Sequence, residues 1–221
     1  MTELVYFLVL SGVWAAVLLG LHRITAGRPQ YRLESTVAIA CVALAVAGLA
    51  CVLAATFARA QAAPLIGPVR TVLAWAAPFA AGAAWAGAVG SMRFGRAVAA
   101  AVACYIALAF IGFEIGKIAH DAEMREFFRA SGLPLPLMYA VLLVETAAAC
   151  ALLINWRRLR AAAVLCVVMI GAVGTHVSNG DPAIDSLDAV RMFTLCAALL
   201  MLEFRLASHR ASSTPLHVQA G

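Results

Sequence analysis

Charge is scarce in this 221-residue chain. Asp, Glu, Lys and Arg together make up 12% of it, and lysine occurs once, at Lys117. With 64% hydrophobic residues and a mean hydropathy of +0.95, that scarcity excludes an ordinary soluble domain. No C-x-x-C pair occurs, and none of Cys41, Cys51, Cys104, Cys150, Cys166 and Cys196 lies beside a histidine at ligand spacing. The six thiols read as small apolar residues of helices rather than as a redox or zinc centre. Segments of about ten alternating residues, the mark of a membrane β-barrel, are missing. So are a glycine-rich phosphate loop behind a strand and the G-x-S-x-G nucleophile turn. No basic cluster is interleaved with aromatics in an aqueous segment, which argues against nucleic acid as a partner. The first apolar run follows Glu3 without a basic leader, so it reads as a retained helix and not a cleaved signal peptide.

What is there is a succession of apolar runs about as long as a bilayer is thick. Backbone groups in lipid must be satisfied within the segment, so each run is expected to be a helix. The fold class is all-α, with seven transmembrane helices near Leu4–His22, Ser35–Ala60, Val72–Val89, Ala97–Ala119, Pro136–Trp156, Arg160–His176 and Asp188–Leu206. Pro78 falls inside the third, where a membrane helix tolerates it with a kink. The chain divides into a three-helix segment over 1–92, a four-helix bundle over 93–207 and a flexible cytoplasmic tail over 208–221.

Arginine placement supports this count. Arg23, Arg28, Arg32, Arg93, Arg96, Arg157, Arg158, Arg160, Arg205 and Arg210 fall on the odd connections and the tail. Arg59, Arg70, Lys117, Arg125, Arg129 and Arg191 fall on the other side, with most of the acids. The positive-inside rule then places the N-terminus outside and the C-terminus in the cytoplasm. Asp121–Ala130, with Phe127 and Phe128 among charges, reads as a short amphipathic helix at the outer interface, ended by Ser131 and Gly132. Ser178 to Pro182 reads as a turn.

A carboxylate at bilayer depth is costly and calls for a partner or a cavity. Glu145 lies roughly 15 Å below the outer end of its helix and Glu114 roughly 9 Å below the end of the preceding one, at 1.5 Å rise per residue. Glu114, Lys117 and Asp121 share a helix face. His176 ends a helix on the same side, and Asp188 and Arg191 open the last one there. Glu145, Glu114, Lys117 and His176 are therefore the candidate site residues, a polar pocket in the non-cytosolic half of the membrane. Each has a quieter reading. Glu114 and Lys117 suit a packing ion pair, Lys117 can snorkel to headgroups, Asp188 and Arg191 suit a cap and an interface anchor, and Glu145 can serve as an interhelical hydrogen bond. A metal site from His176, His120 and the carboxylates has little support in ligand number, and no metal is expected.

Several segments in order resemble the DoxX-like family of four-helix membrane proteins: F-I-G-F-E-I-G-K at Phe110–Lys117, F-F-R-A-S-G-L-P at Phe127–Pro134, Glu145 in the next helix, R-L-R-A-A-A at Arg158–Ala163, and T-H-V-S-N-G-D at Thr175–Asp181. The likeness runs from about Ala97 to Phe204. It implies that the last four helices form a bundle, that Lys117, Glu145 and His176 match the family's recurrent polar positions, and that the protein sits in a bacterial inner membrane. Family members are linked to quinone-dependent sulfur oxidation, to oxidative-stress complexes and to assembly of other membrane proteins. The three helices before the bundle depart from the family pattern.

The expectation is an inner-membrane protein whose partners are the bilayer, a membrane complex, and a quinone or other isoprenoid lipid. It acts as a redox-linked component or an assembly factor. Quinone is the candidate cofactor, because its reduction needs proton donors at the ring oxygens. The alternative is a cofactor-free cyclase or isomerase acting on an isoprenoid lipid through Glu145 as a buried acid. Transport is a lesser option, since only one acid lies deep and no inverted repeat is evident.

Overall fold

The computed structural model describes residues 2–25, 31–57 and 75–212. Among these every regular element is a helix. They are α1 (Thr2–Ile24), α2 (Tyr31–Phe57), α3 (75–89), α4 (Met92–Ala119), α5 (Asp121–Ala130), α6 (Leu135–Leu153), α7 (Arg158–Asn179) and α8 (Leu187–Ser212). Five of them, α1, α2, α4, α6 and α7, are long and apolar enough to cross a membrane, with mean hydropathies from 1.9 to 2.8. Of the two other expected spans, α8 is long but carries Asp188, Arg191, Glu203 and Arg205, and α3 is described only from residue 75. The expected start of the third helix at Val72 and the end of the second at Ala60 lie outside the described residues. Large apolar side chains such as Val9, Ile39, Leu143 and Val167 stand exposed on the outer faces, where only acyl chains would leave them unpenalised.

α4 is the central element. It packs against α2 on one side and against α6 and α8 on the other, while α7 closes the ring between α6 and α8. α4, α6, α7 and α8 thus form a four-helix bundle, and α2 lies along its outside. Small residues set the spacing in front of it. Ala76, Ala80, Ala81, Ala83, Ala84 and Ala86 of α3 are fully buried. A Cβ on Gly82 would come within 2.5 Å of Trp14 Cβ and 2.8 Å of the Ser11 carbonyl, so only glycine lets α1 approach α3 this closely.

Local chemistry fixes the ends. Ser91 caps α4, its hydroxyl accepting from the Phe94 N–H at 3.3 Å. Gly132, at φ +68°, ends α5 by letting the Leu133 N–H reach back to the Phe128 carbonyl at 2.9 Å. The carbonyls of Gly87, Ala88 and Gly90, at and just beyond the end of α3, accept from the Arg205 guanidinium of α8, at 3.2 Å for Gly87 and 3.0 Å for Gly90. The sequence reading treats Arg205 as a tail charge, whereas here it ties α8 to α3.

Several boundaries differ from expectation, among them the start of α2 at Tyr31 and the end of α7 at Asn179, and three have a visible consequence or cause. α6 stops at Leu153 and not at Trp156, because Asn155 and Arg157 adopt left-handed φ values of 58° and 48° and break the helix inside an apolar run. α4 begins at Met92, five residues early, once Ser91 caps it. α8 continues to Ser212, so residues 208–212 are helical rather than loose tail; residues 213–221 lie outside the described part.

Candidate functional site

Glu114 and Lys117 sit one turn apart on α4, and Lys117 Nζ donates to Glu114 Oε1 at 2.8 Å. The same ammonium also donates to Glu145 Oε2 of α6, so Lys117 joins two helices through two carboxylates. Glu145 is 2% exposed and Glu114 5%. Glu114 Oε2 is buried without a hydrogen-bond partner among the described residues. Two carboxylates against one ammonium leave one negative charge in excess.

Glu145 and Lys117 open onto a cavity of about 510 Å³ lined by α4, α5, α6, α7 and the start of α8. Its wall is mostly apolar, with Phe113, Phe127 and Phe128 supplying aromatic faces. An ammonium has three donors, two of which are spent on Glu114 and Glu145, so one remains for a ligand in the cavity.

His176 lines the same cavity nearer the end of α7. Gly180, at φ +72°, terminates that helix, and the turn places the Asp181 carboxylate 2.8 Å from His176 Nδ1. A carboxylate on one ring nitrogen orients the imidazole and leaves Nε2 for other partners. The Phe127 ring lies against the imidazole, with centroids 5.4 Å apart. Asn179 Nδ2 donates to Ser131 Oγ at 2.8 Å, which holds the ends of α7 and α5 at one level. Counted from helix ends, His176 and Glu145 then stand roughly 10 Å apart along the bundle axis.

The four expected site residues therefore do not meet at a point. Glu145 and Lys117 form one polar pole of the cavity and His176 the other. Glu114 buttresses Lys117 and does not line the cavity. Asp121, placed on the Lys117 face by its spacing, bonds to Arg125 at 2.7 Å. Arg191 bonds to Asp188 at 3.2 Å and reaches Glu3 of α1 at 3.7 Å, joining α8 to α1. His120 Nδ1 contacts the Gly116 carbonyl at 3.0 Å. Among the described residues no three side chains of His, Cys, Asp or Glu stand together as metal ligands would.

Two participants escaped sequence reasoning. Asp181 reads there as a turn residue; the signal was the pattern His-x-x-x-Gly-Asp, in which a helix-ending glycine turns the next side chain back onto the last turn. Phe127 reads as a residue of the outer interface, but α5 folds over the bundle and presents this ring to the cavity.

No curated protein and no solved structure shows significant similarity to the chain. The profile of the DoxX-like family matches residues 100–202, from the first third of α4 to past the middle of α8, and so spans the helices that line the cavity. The chain is an integral membrane protein whose residues 100–202 match the DoxX-like family, with additional helices on the N-terminal side.

Proposed function

We propose that the cavity holds the head of a lipid-soluble quinone and that the protein is the quinone-facing component of a membrane redox complex. The observation that carries this reading is the Lys117–Glu145 pair, buried at one pole of an aromatic-walled, apolar cavity with His176–Asp181 at the other. A volume of about 510 Å³ is in the range of small-molecule sites. A quinone ring has two carbonyl oxygens on opposite sides, and the two poles can each donate to one. Reduction to the quinol takes up two electrons and two protons. Lys117 Nζ at one pole and the His176–Asp181 pair at the other are the proton-bearing groups that face the ring oxygens, and the electrons come from a partner protein. On this reading the arginine bias sets the Lys117 end toward the non-cytosolic side of an inner membrane.

The alternative of an isoprenoid cyclase or isomerase shares the apolar cavity but needs Glu145 to aim an acid proton at the substrate. Its Oε2 is taken by Lys117, which suits ligand positioning better than alkene protonation.

The test is titration of purified protein in nanodiscs with a short-chain benzoquinone. Saturable binding, weakened at least tenfold by both Lys117→Met and Gly171→Leu, is expected. The second variant does not touch the ion pair: Gly171 lines the cavity, and a side chain there meets nothing within 4 Å. Non-saturable partitioning alone, or equal binding by all three proteins, defeats the proposal.

A further inference from the structure

The opposite end of the bundle holds a second built feature. Arg96 at the start of α4, Arg157, Arg158 and Arg160 around the start of α7, and Arg210 late in α8 line one cavity of about 560 Å³, with Glu203 as its carboxylate. Glu203 lies 3.7 Å from Arg158 and offsets one guanidinium of the five. Arg157 stacks on the Trp156 ring at 5.5 Å. Arg96 and Arg160 have no ion-pair partner among the described residues.

The local backbone produces this clustering. Asn155 and Arg157 both take left-handed φ values, which non-glycine residues adopt at a cost of order 1 kcal/mol each. The tight turn they make swings three arginines in four residues toward the mouth between α4, α7 and α8. α7 begins there with no side chain capping it, and the positive end of its dipole favours an anion.

A second hollow of about 500 Å³ adjoins the first and shares Leu159 and Arg160 with it. Ala163, Leu200, Met201 and Phe204 complete it, so it is an apolar groove between α7 and α8. Met201 and Phe204 are exposed, at 53% and 65%, on the face turned to acyl chains. A topological excess of arginine requires neither a common cavity nor a groove leading out of it.

We propose that this end of the bundle binds an anionic phospholipid, with the phosphate among Arg96, Arg158 and Arg160 and one acyl chain along the α7–α8 groove. Guanidinium forks match phosphate oxygens in pairs, and basic hollows between membrane helices bind such headgroups. The groove distinguishes a lipid from free phosphate, since only a lipid has a chain to fill it. Arg96, Arg158 and Arg160 against the one carboxylate of Glu203 leave the phosphate position positive, which favours an anionic headgroup over a zwitterionic one. The site is independent of the quinone reading.

Delipidated full-length protein in neutral detergent provides the test, with retained lipid counted by native mass spectrometry. Phosphatidylglycerol should be retained at least tenfold better than phosphatidylcholine of the same chains, and inorganic phosphate should not compete at millimolar concentration. Arg96→Gln and Arg160→Gln should each weaken retention roughly fivefold, the equivalent of about 1 kcal/mol per basic group. Ala163→Trp, which fills the groove, should weaken it without altering any phosphate binding. Glu203→Gln should strengthen retention of phosphatidylglycerol, a gain that misfolding cannot imitate. Equal retention of the two lipids, competition by inorganic phosphate, or no change in Arg160→Gln and Glu203→Gln overturns the proposal.

Discussion

Replacing Lys117 by methionine keeps the length of the stem and removes the ammonium. Glu145 and Glu114, 2% and 5% exposed, are then left facing each other without the cation that bonds both. Removing one partner of a buried ion pair costs about 3–5 kcal/mol. The Lys117 side chain is 27% exposed, so water relieves part of the loss and the lower bound, about 3 kcal/mol, applies. That is more than a hundredfold in the unfolding equilibrium. If the contact were an ordinary interhelical hydrogen bond in a membrane, the loss would be about 0.6 kcal/mol. The two cases are far enough apart for reversible unfolding in mixed micelles, followed by far-ultraviolet circular dichroism, to separate them. Glu145→Gln and the double variant complete a cycle. Because Lys117 contacts Glu145 directly, the double variant should be less destabilised than the sum of the singles by at least about 1 kcal/mol. Additivity within about 0.5 kcal/mol would mean that the pair does not join α4 to α6, and the site as described would be wrong.

Three further outcomes follow from other contacts. Gly82→Leu should destabilise the protein by about 1–3 kcal/mol, since its Cβ would already overlap Trp14 and the Ser11 carbonyl; thermal unfolding measures this, and an unchanged midpoint refutes the close α1–α3 approach. Arg205→Ala should cost about 1–3 kcal/mol by stripping donors from the carbonyls of Gly87, Ala88 and Gly90, and lysine at that position should rescue only part, because one ammonium cannot reproduce the guanidinium fork. Gly171→Leu should hold or raise stability by up to about 1 kcal/mol, as a helical glycine is replaced where there is open space, while quinone binding is lost; a destabilised variant would show that the cavity wall is packed there.

The membrane helices and the short amphipathic helix were legible because they rest on composition and punctuation. α5 spans Asp121–Ala130 as its charge pattern and Gly132 require. The pairing of Glu145 was legible in principle as well, since a carboxylate deep in an apolar run has few alternatives to a cation on a neighbouring helix. What the sequence hid depends on backbone direction. The break after Leu153 falls where a lone Asn155 interrupts apolar sequence, and only the left-handed turns at Asn155 and Arg157 reveal it. The His176–Asp181 bond needs the turn at Gly180. Arg205 looks like one more orientation charge until α8 is laid beside the end of α3. Depth and helix spacing put Glu114 and His176 near Glu145, but neither distinguishes a buttress behind Lys117 from a second pole of the cavity.

The most direct measurement is photolabelling by an azidoquinone in native membranes, with the modified residues mapped by mass spectrometry. Label should concentrate on the cavity walls of α6 and α7, around Val141 and Ala172, and should disappear when unlabelled quinone is in excess. Label spread over the lipid-facing sides of α1 and α2, and insensitive to competitor, would contradict a quinone site between Lys117–Glu145 and His176.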